Sequence, residues 1–198
     1  MLNFLSRFPV ALWPIYLLLL MLLLTLLGGS VTNVLRFDHQ AIGRGEYWRL
    51  LSAHMVHLGW AHGLLNAGGL LMVAWMQPAG APWRWLVFYV MTSVVISMGL
   101  YLEGSVSTYV GASGVLHGLL IMAAFFSHWL EPWRKKLVVF AISAKLLWEQ
   151  TPWYSDASVS EMIGGYVVVD AHFLGGLAGL TVVLVALVKK SANSGAPS

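Results

Sequence analysis

Six apolar stretches run through this chain, at about 10 to 29, 62 to 77, 84 to 102, 112 to 130, 136 to 149 and 172 to 188, separated by segments richer in polar residues, the first of them too long for a tight connection. A hydrocarbon core of ~30 Å takes a helix of roughly 20 predominantly apolar residues to cross, so each stretch is read as a transmembrane helix. The pattern predicts an all-α membrane protein with residues 1 to 198 in a single domain, ending in a short polar tail at about 191 to 198 that is too small to pack. The first stretch outruns the ~7 to 15 residues of a signal-peptide core and no A-x-A site follows it, so it is read as a retained helix.

The segments between the stretches carry their own signals. Residues 30 to 61 mix Arg36, Asp38, Arg44, Glu46 and Arg49 with Tyr47, Trp48, Leu50, Leu51 and Trp60, a composition suited to the membrane interface. Pro78 and Pro82 separate the second and third stretches, and Glu131-Pro132-Trp133 followed by Arg134-Lys135-Lys136 marks the turn after the fourth. The last loop, about 150 to 170, is polar and holds Asp156, Glu161 and Gly164-Gly165.

Composition supports the membrane reading: 59% of residues are hydrophobic and 10% charged, against roughly 25% charged in soluble domains. The net charge of +3 does not point to nucleic acid, because the basic residues sit at the ends of the stretches. With the N-terminus inside, Arg7, Arg84, Arg134, Lys135, Lys136, Lys189 and Lys190 fall on the cytoplasmic side and Arg36, Arg44 and Arg49 outside, which favours both termini cytoplasmic. The partner this implies is the lipid bilayer. The chain has no cysteine, so disulfides, thiol catalysis and thiolate metal sites are excluded, and no cofactor or metal is expected.

Under this topology the second, fourth and sixth helices run in the same direction, so their N-terminal ends share one depth on the external side. Those ends carry His62 with Asn66, Ser113 within Gly111-Ala112-Ser113-Gly114, and His172. His62 and Asn66 are four apart and share a helix face, with Gly59 and Gly69 on the same stripe. Gly114 and Gly118 form a G-x-x-x-G pair on the fourth helix, and Gly175 and Gly179 form another on the sixth. Small residues at that spacing let helix backbones approach closely in lipid, which would carry Ser113 to the His172 imidazole. A hydroxyl to attack, an imidazole to move its proton, and donors for a tetrahedral oxyanion are what acyl transfer needs. Asn66 offers an amide, His62 a ring N–H, and Ser113 its own backbone N–H at a helix start.

His62-x-x-x-Asn66, Gly-x-Ser-Gly at 111 to 114, and Ala171-His172 leading into Gly175 and Gly179, on helices two, four and six of six, resemble the rhomboid family of intramembrane serine proteases over nearly the whole chain. The resemblance implies a catalytic dyad of Ser113 and His172, oxyanion binding by His62 and Asn66, and a transmembrane protein as substrate. Small size, the run Gly-Ala-Ser-Gly-Val-Leu-His-Gly and Trp148-Glu149-Gln150 at the end of the fifth helix further resemble the rhombosortase branch. That branch implies location in the bacterial inner membrane, a site facing the periplasm, and substrates bearing C-terminal glycine-rich sorting segments.

The chain departs from the more familiar rhomboid pattern at His117, where an aromatic residue commonly stands four positions after the serine. His117 lies on nearly the same face as Ser113 and is read as a residue that stacks on His172 or tunes it. Lys145 and Glu149, four apart, are read as an ion pair, with substrate contact by Glu149 as the alternative. His54 and His57 are read as structural. Two other functions fit parts of the pattern: a haem-binding electron carrier with His62 and His172 as axial ligands, which leaves Gly-Ala-Ser-Gly without a purpose, and a proteolytically silent adaptor that binds membrane helices.

Overall fold

The structure, a computed structural model, describes residues 12 to 78 and 81 to 194. Arg7, the first two residues of the first predicted stretch, and the tail from 195 to 198 lie outside the described residues. The order of elements is α1 (Leu12–Leu27), α2 (Gly29–Leu35), β1 (Phe37–Asp38), α3 (His39–Gly43), α4 (Arg49–Ser52), a 3-10 turn (Ala53–Met55), α5 (Trp60–Met76), α6 (Pro82–Glu103), β2 (Thr108–Tyr109), α7 (Ser113–Phe126), α8 (Pro132–Glu149), α9 (Ala157–Ile163) and α10 (Val169–Ser194).

A helix stands at each of the six apolar stretches: α1, α5, α6, α7, α8 and α10. By length and composition α6 and α10 are each able to cross a membrane, and α1 with α2 would pass together but for a 118° bend between them. The bend falls at Gly28, whose φ of 79° is a left-handed conformation that side chains disfavour. Gly104, at φ 81°, ends α6 in the same way, while Pro82 and Pro132 open α6 and α8 where a missing N–H costs nothing.

The fourth stretch is shorter as a helix than its hydropathy predicts. α7 has 14 residues, about 21 Å at 1.5 Å per residue, and stops at Phe126 rather than near 130. It is the centre of the molecule, packed by α5, α6, α8 and α10. Val115, Leu119, Ile121, Ala123 and Ala124 along it are wholly buried. A helix enclosed by protein need not match the thickness of a bilayer, because non-helical backbone at its ends is tolerated where protein buries it.

Glycine brings α7 and α10 into backbone contact. A Cβ on Gly114 would lie 2.6 Å from the Ala171 carbonyl oxygen and one on Gly179 2.5 Å from that of Gly118. A Cβ on Gly118 would overlap the Gly175 oxygen, and one on Gly175 the Gly114 oxygen. The two G-x-x-x-G pairs thus interdigitate. On the other side of α7, Gly69 of α5 admits Leu116, whose Cδ1 would sit 3.1 Å from its Cβ, whereas Gly59 faces open space.

The segment between α1 and α5 is folded tightly. Asp38 caps α3 by accepting from the Ala41 N–H at 2.9 Å, and β1 pairs antiparallel with β2, Phe37 opposite Tyr109. Arg49, 8% exposed, donates to the carbonyls of Asn33 (3.0 Å) and Arg36 (2.8 Å) and pairs with Glu46 at 2.7 Å. A guanidinium with those partners ties α2 to α4 and satisfies carbonyls at the end of a helix.

Candidate active site

Three elements deliver the reactive groups to one place. The chain enters α7 through a turn held at both ends: the Gly111 N–H donates to the Ala53 carbonyl at 2.9 Å, and the Tyr109 hydroxyl donates to the Gly111 carbonyl at 2.6 Å. Gly111 adopts φ 113°, and a Cβ there would lie 2.6 Å from His62 Nε2. Both the backbone and the neighbouring imidazole therefore require glycine. Ser113 follows as the first residue of α7, where its N–H lacks an intrahelical acceptor.

The Ser113 hydroxyl donates to His172 Nε2 at 2.9 Å. On the far side of that ring, Nδ1 donates to Glu149 Oε2 at 3.1 Å. A carboxylate only accepts, so the hydrogen is on Nδ1 and the Nε2 lone pair faces the serine, the tautomer a general base requires. His117 lies against His172, ring centroids 4.4 Å apart. Its Nδ1 donates to the Ser113 carbonyl at 2.7 Å, and its Nε2 accepts from the Lys145 ammonium at 3.1 Å. Lys145 also pairs with Glu149.

On α5, the Leu58 N–H donates to His62 Nδ1 over a long 3.5 Å, which leaves the hydrogen of the neutral ring on Nε2, against Gly111. The Asn66 amide nitrogen donates to the His62 carbonyl at 3.0 Å and has a second N–H beyond that bond. His57, buried, meets the His62 ring edge-to-face at 5.0 Å.

These groups open onto a cavity of about 420 Å³ lined by His62, Asn66, Ser113, His117 and His172, with Asn33 and Arg36 of the α2 region at its edge. The loop carrying α9 forms another wall through Val159, Ile163 and Tyr166 to Val168. Asp156 fastens this loop, accepting from the Ser160 hydroxyl at 2.6 Å and the Val167 N–H at 2.9 Å. Those bonds, the serine's foremost, hold its carboxyl below the usual aspartate range. A depressed carboxylate pKa contributes stability above the unfolded value of about 3.9, and that contribution is lost as pH falls toward the folded value. Amide exchange should show Val167 protected in the wild type until the pH drops below about 4, once corrected for intrinsic rates, and already unprotected at neutral pH in Asp156→Ala. Equal protection in both proteins at neutral pH would refute the tie.

The structure therefore gathers Ser113, His172, His62, Asn66 and His117 at one cavity, seats Gly111 against the His62 ring, and sets Gly114, Gly118, Gly175 and Gly179 in the contact between α7 and α10. Glu149 stands apart from the cavity wall: its side chain is 1% exposed, behind His172, and it pairs with Lys145 as expected. Tyr109 escaped the sequence reading, and the hydroxyl four residues before the serine was its signal. His117, Glu149 and His172 offer ligand atoms within 4.8 Å of one another, but a metal ion would have to displace the Lys145 ammonium from both His117 and Glu149.

A protein of Bacillus subtilis (strain 168) named "Putative rhomboid protease YdcA" is 25% identical over 112 residues, 54% of this chain and 56% of that protein. The chain thus spans about half the length of the curated relative it matches. No solved structure matches the chain significantly. The profile of the Rhomboid domain matches residues 44–189, which take in His62, Asn66, Ser113, His117, Glu149 and His172. With well over half of its 198 residues inside that match, the chain belongs to the Rhomboid domain family.

Proposed function

We propose that this chain is an intramembrane serine endopeptidase, with Ser113 as nucleophile and His172 as general base and acid. The observation that carries the reading is the 2.9 Å bond from the Ser113 hydroxyl to an imidazole nitrogen of the correct tautomer, at the wall of a cavity. In the first step His172 Nε2 takes the hydroxyl proton as Ser113 Oγ attacks the scissile carbonyl. The tetrahedral oxyanion is met by His62 Nε2–H, the Asn66 amide and the Ser113 N–H. His172 then gives its proton to the leaving amine, and water, activated by the same imidazole, hydrolyses the acyl-enzyme.

In this reading the six long helices are six membrane spans, both termini are cytoplasmic, and the cavity faces the external side of a bacterial inner membrane. The positive residues at the span ends support that orientation. A substrate helix must unwind before its carbonyl reaches Ser113, and glycine lowers the cost by up to about 1 kcal/mol per residue. C-terminal glycine-rich sorting segments of envelope proteins are therefore the proposed substrates, in keeping with the rhombosortase-like run from Gly111 to Gly118.

Purified protein should be labelled by a fluorophosphonate at Ser113, and Ser113→Ala should abolish both the label and cleavage of tagged membrane proteins from the same genome. Persistent cleavage in Ser113→Ala would overturn the serine mechanism.

A further inference from the structure

The groups behind His172 form a closed circuit that a two-membered serine–histidine mechanism leaves unused. From the Ser113 hydroxyl it passes to His172, to Glu149, to Lys145, to His117, and back to the Ser113 carbonyl. Each link has a defined donor. His117 gives its Nδ1 hydrogen to a carbonyl and receives at Nε2 from an ammonium, so both its nitrogens are engaged. His172 has one free lone pair, and it faces Ser113.

Glu149 is the acid in this circuit, with a side chain 1% exposed. A buried carboxylate is tolerated only when partners compensate its desolvation. Its two oxygens are divided between them, Oε1 to Lys145 and Oε2 to His172. The helix pair is built to hold it there. Gly176 leaves room for Leu146, so α8 lies directly against α10, and Leu146–Gly176 and Glu149–His172 are successive rungs of one antiparallel contact.

We propose that Glu149, clamped by Lys145, is the positioning residue of this site, holding the ring plane and the Nδ1–H tautomer of His172 and stabilising the imidazolium formed when Ser113 attacks. The relay then has three members, Ser113, His172 and Glu149, each on a different helix. His117 and Lys145 keep the third member in place and do not take the serine proton. This inference rests on the serine protease reading.

The test is the rate of fluorophosphonate inactivation of the full chain in detergent, resolved into the maximal rate kinact and the reagent affinity KI, beside a thermal melt. Glu149→Gln is expected to lower kinact by roughly 10²- to 10⁴-fold, with KI within about threefold and the melt preserved. Glu149→Ala should be as slow and should recover with added formate, a carboxylate small enough for the vacated space, but not with formamide. A structural role alone would move the melt and give no formate rescue. Should both Glu149 variants fail to fold, Lys145→Gln retains the carboxylate but removes its clamp, and kinact should fall about fivefold. Wild-type kinact in folded Glu149→Gln or Glu149→Ala, or in Lys145→Gln where neither folds, would overturn the proposal. Failure of the unmodified chain to label at Ser113 would overturn the protease reading and this one with it, so the two failures are told apart.

Discussion

His172→Ala is expected to lower turnover by about 10⁴- to 10⁶-fold while the protein still folds, because no second base can take its place. The neighbour most able to compensate is His117, whose ring lies against the lost one. Its nitrogens are committed, Nδ1 as donor to the Ser113 carbonyl and Nε2 as acceptor from Lys145. To serve as base it would have to break one of these bonds and swing toward Oγ. The check is single-turnover cleavage by His172→Ala beside a melt of the same preparation. Residual activity above about one per cent of wild type would make His117 a working base.

The second large effect is expected far from any titrating group. Gly118→Leu places four carbon atoms where the first already overlaps the Gly175 carbonyl oxygen. The obstacle is backbone, so no rotamer relieves it, and α7 and α10 must part. Overpacking of a well-filled interior commonly costs about 1 to 3 kcal/mol and occasionally more, and the backbone nature of the closest obstacle places this site at about the upper end. Because Ser113 and His172 ride on those two helices, fluorophosphonate labelling should vanish even in the fraction that remains folded. Wild-type labelling in Gly118→Leu would refute close packing as the cause of the site's geometry. Gly59→Ala is the control: a methyl group there meets nothing within 4 Å and should leave labelling unchanged.

Much of this arrangement was visible before any coordinates. Apolar stretches located six helices, and glycines spaced by four named the pair that would touch, because both are local patterns with a direct physical meaning. The order His62, Asn66, Ser113, His172 along three helices running in parallel then implied a shared site. What stayed hidden was set by contacts between distant parts of the chain. Hydropathy cannot distinguish a residue facing lipid from one facing protein, so the apolar run from 112 to 130 does not reveal that its helix has 14 residues and is packed on by four other helices. Gly59 shares a stripe with Gly69, yet only Gly69 meets a neighbouring helix. The Lys145–Glu149 pair was legible from its spacing, but its junction with His172 depends on Leu146 fitting Gly176 across two helices. The abrupt turn at Gly28, and Arg49 bonded to two carbonyls of the α2 region, likewise left only composition as a trace.

The seam between α7 and α10 bears on how the protein meets bilayers of unequal thickness. Main chain pressed on main chain has almost no soft degree of freedom, so a thinner or thicker membrane tilts the two helices as a single strut rather than shearing one along the other. Nucleophile and base keep their separation through such a tilt. Sensitivity to lipid composition should therefore enter through the α9 wall and the approach of the scissile segment, leaving the bond-breaking step itself nearly indifferent to its host membrane.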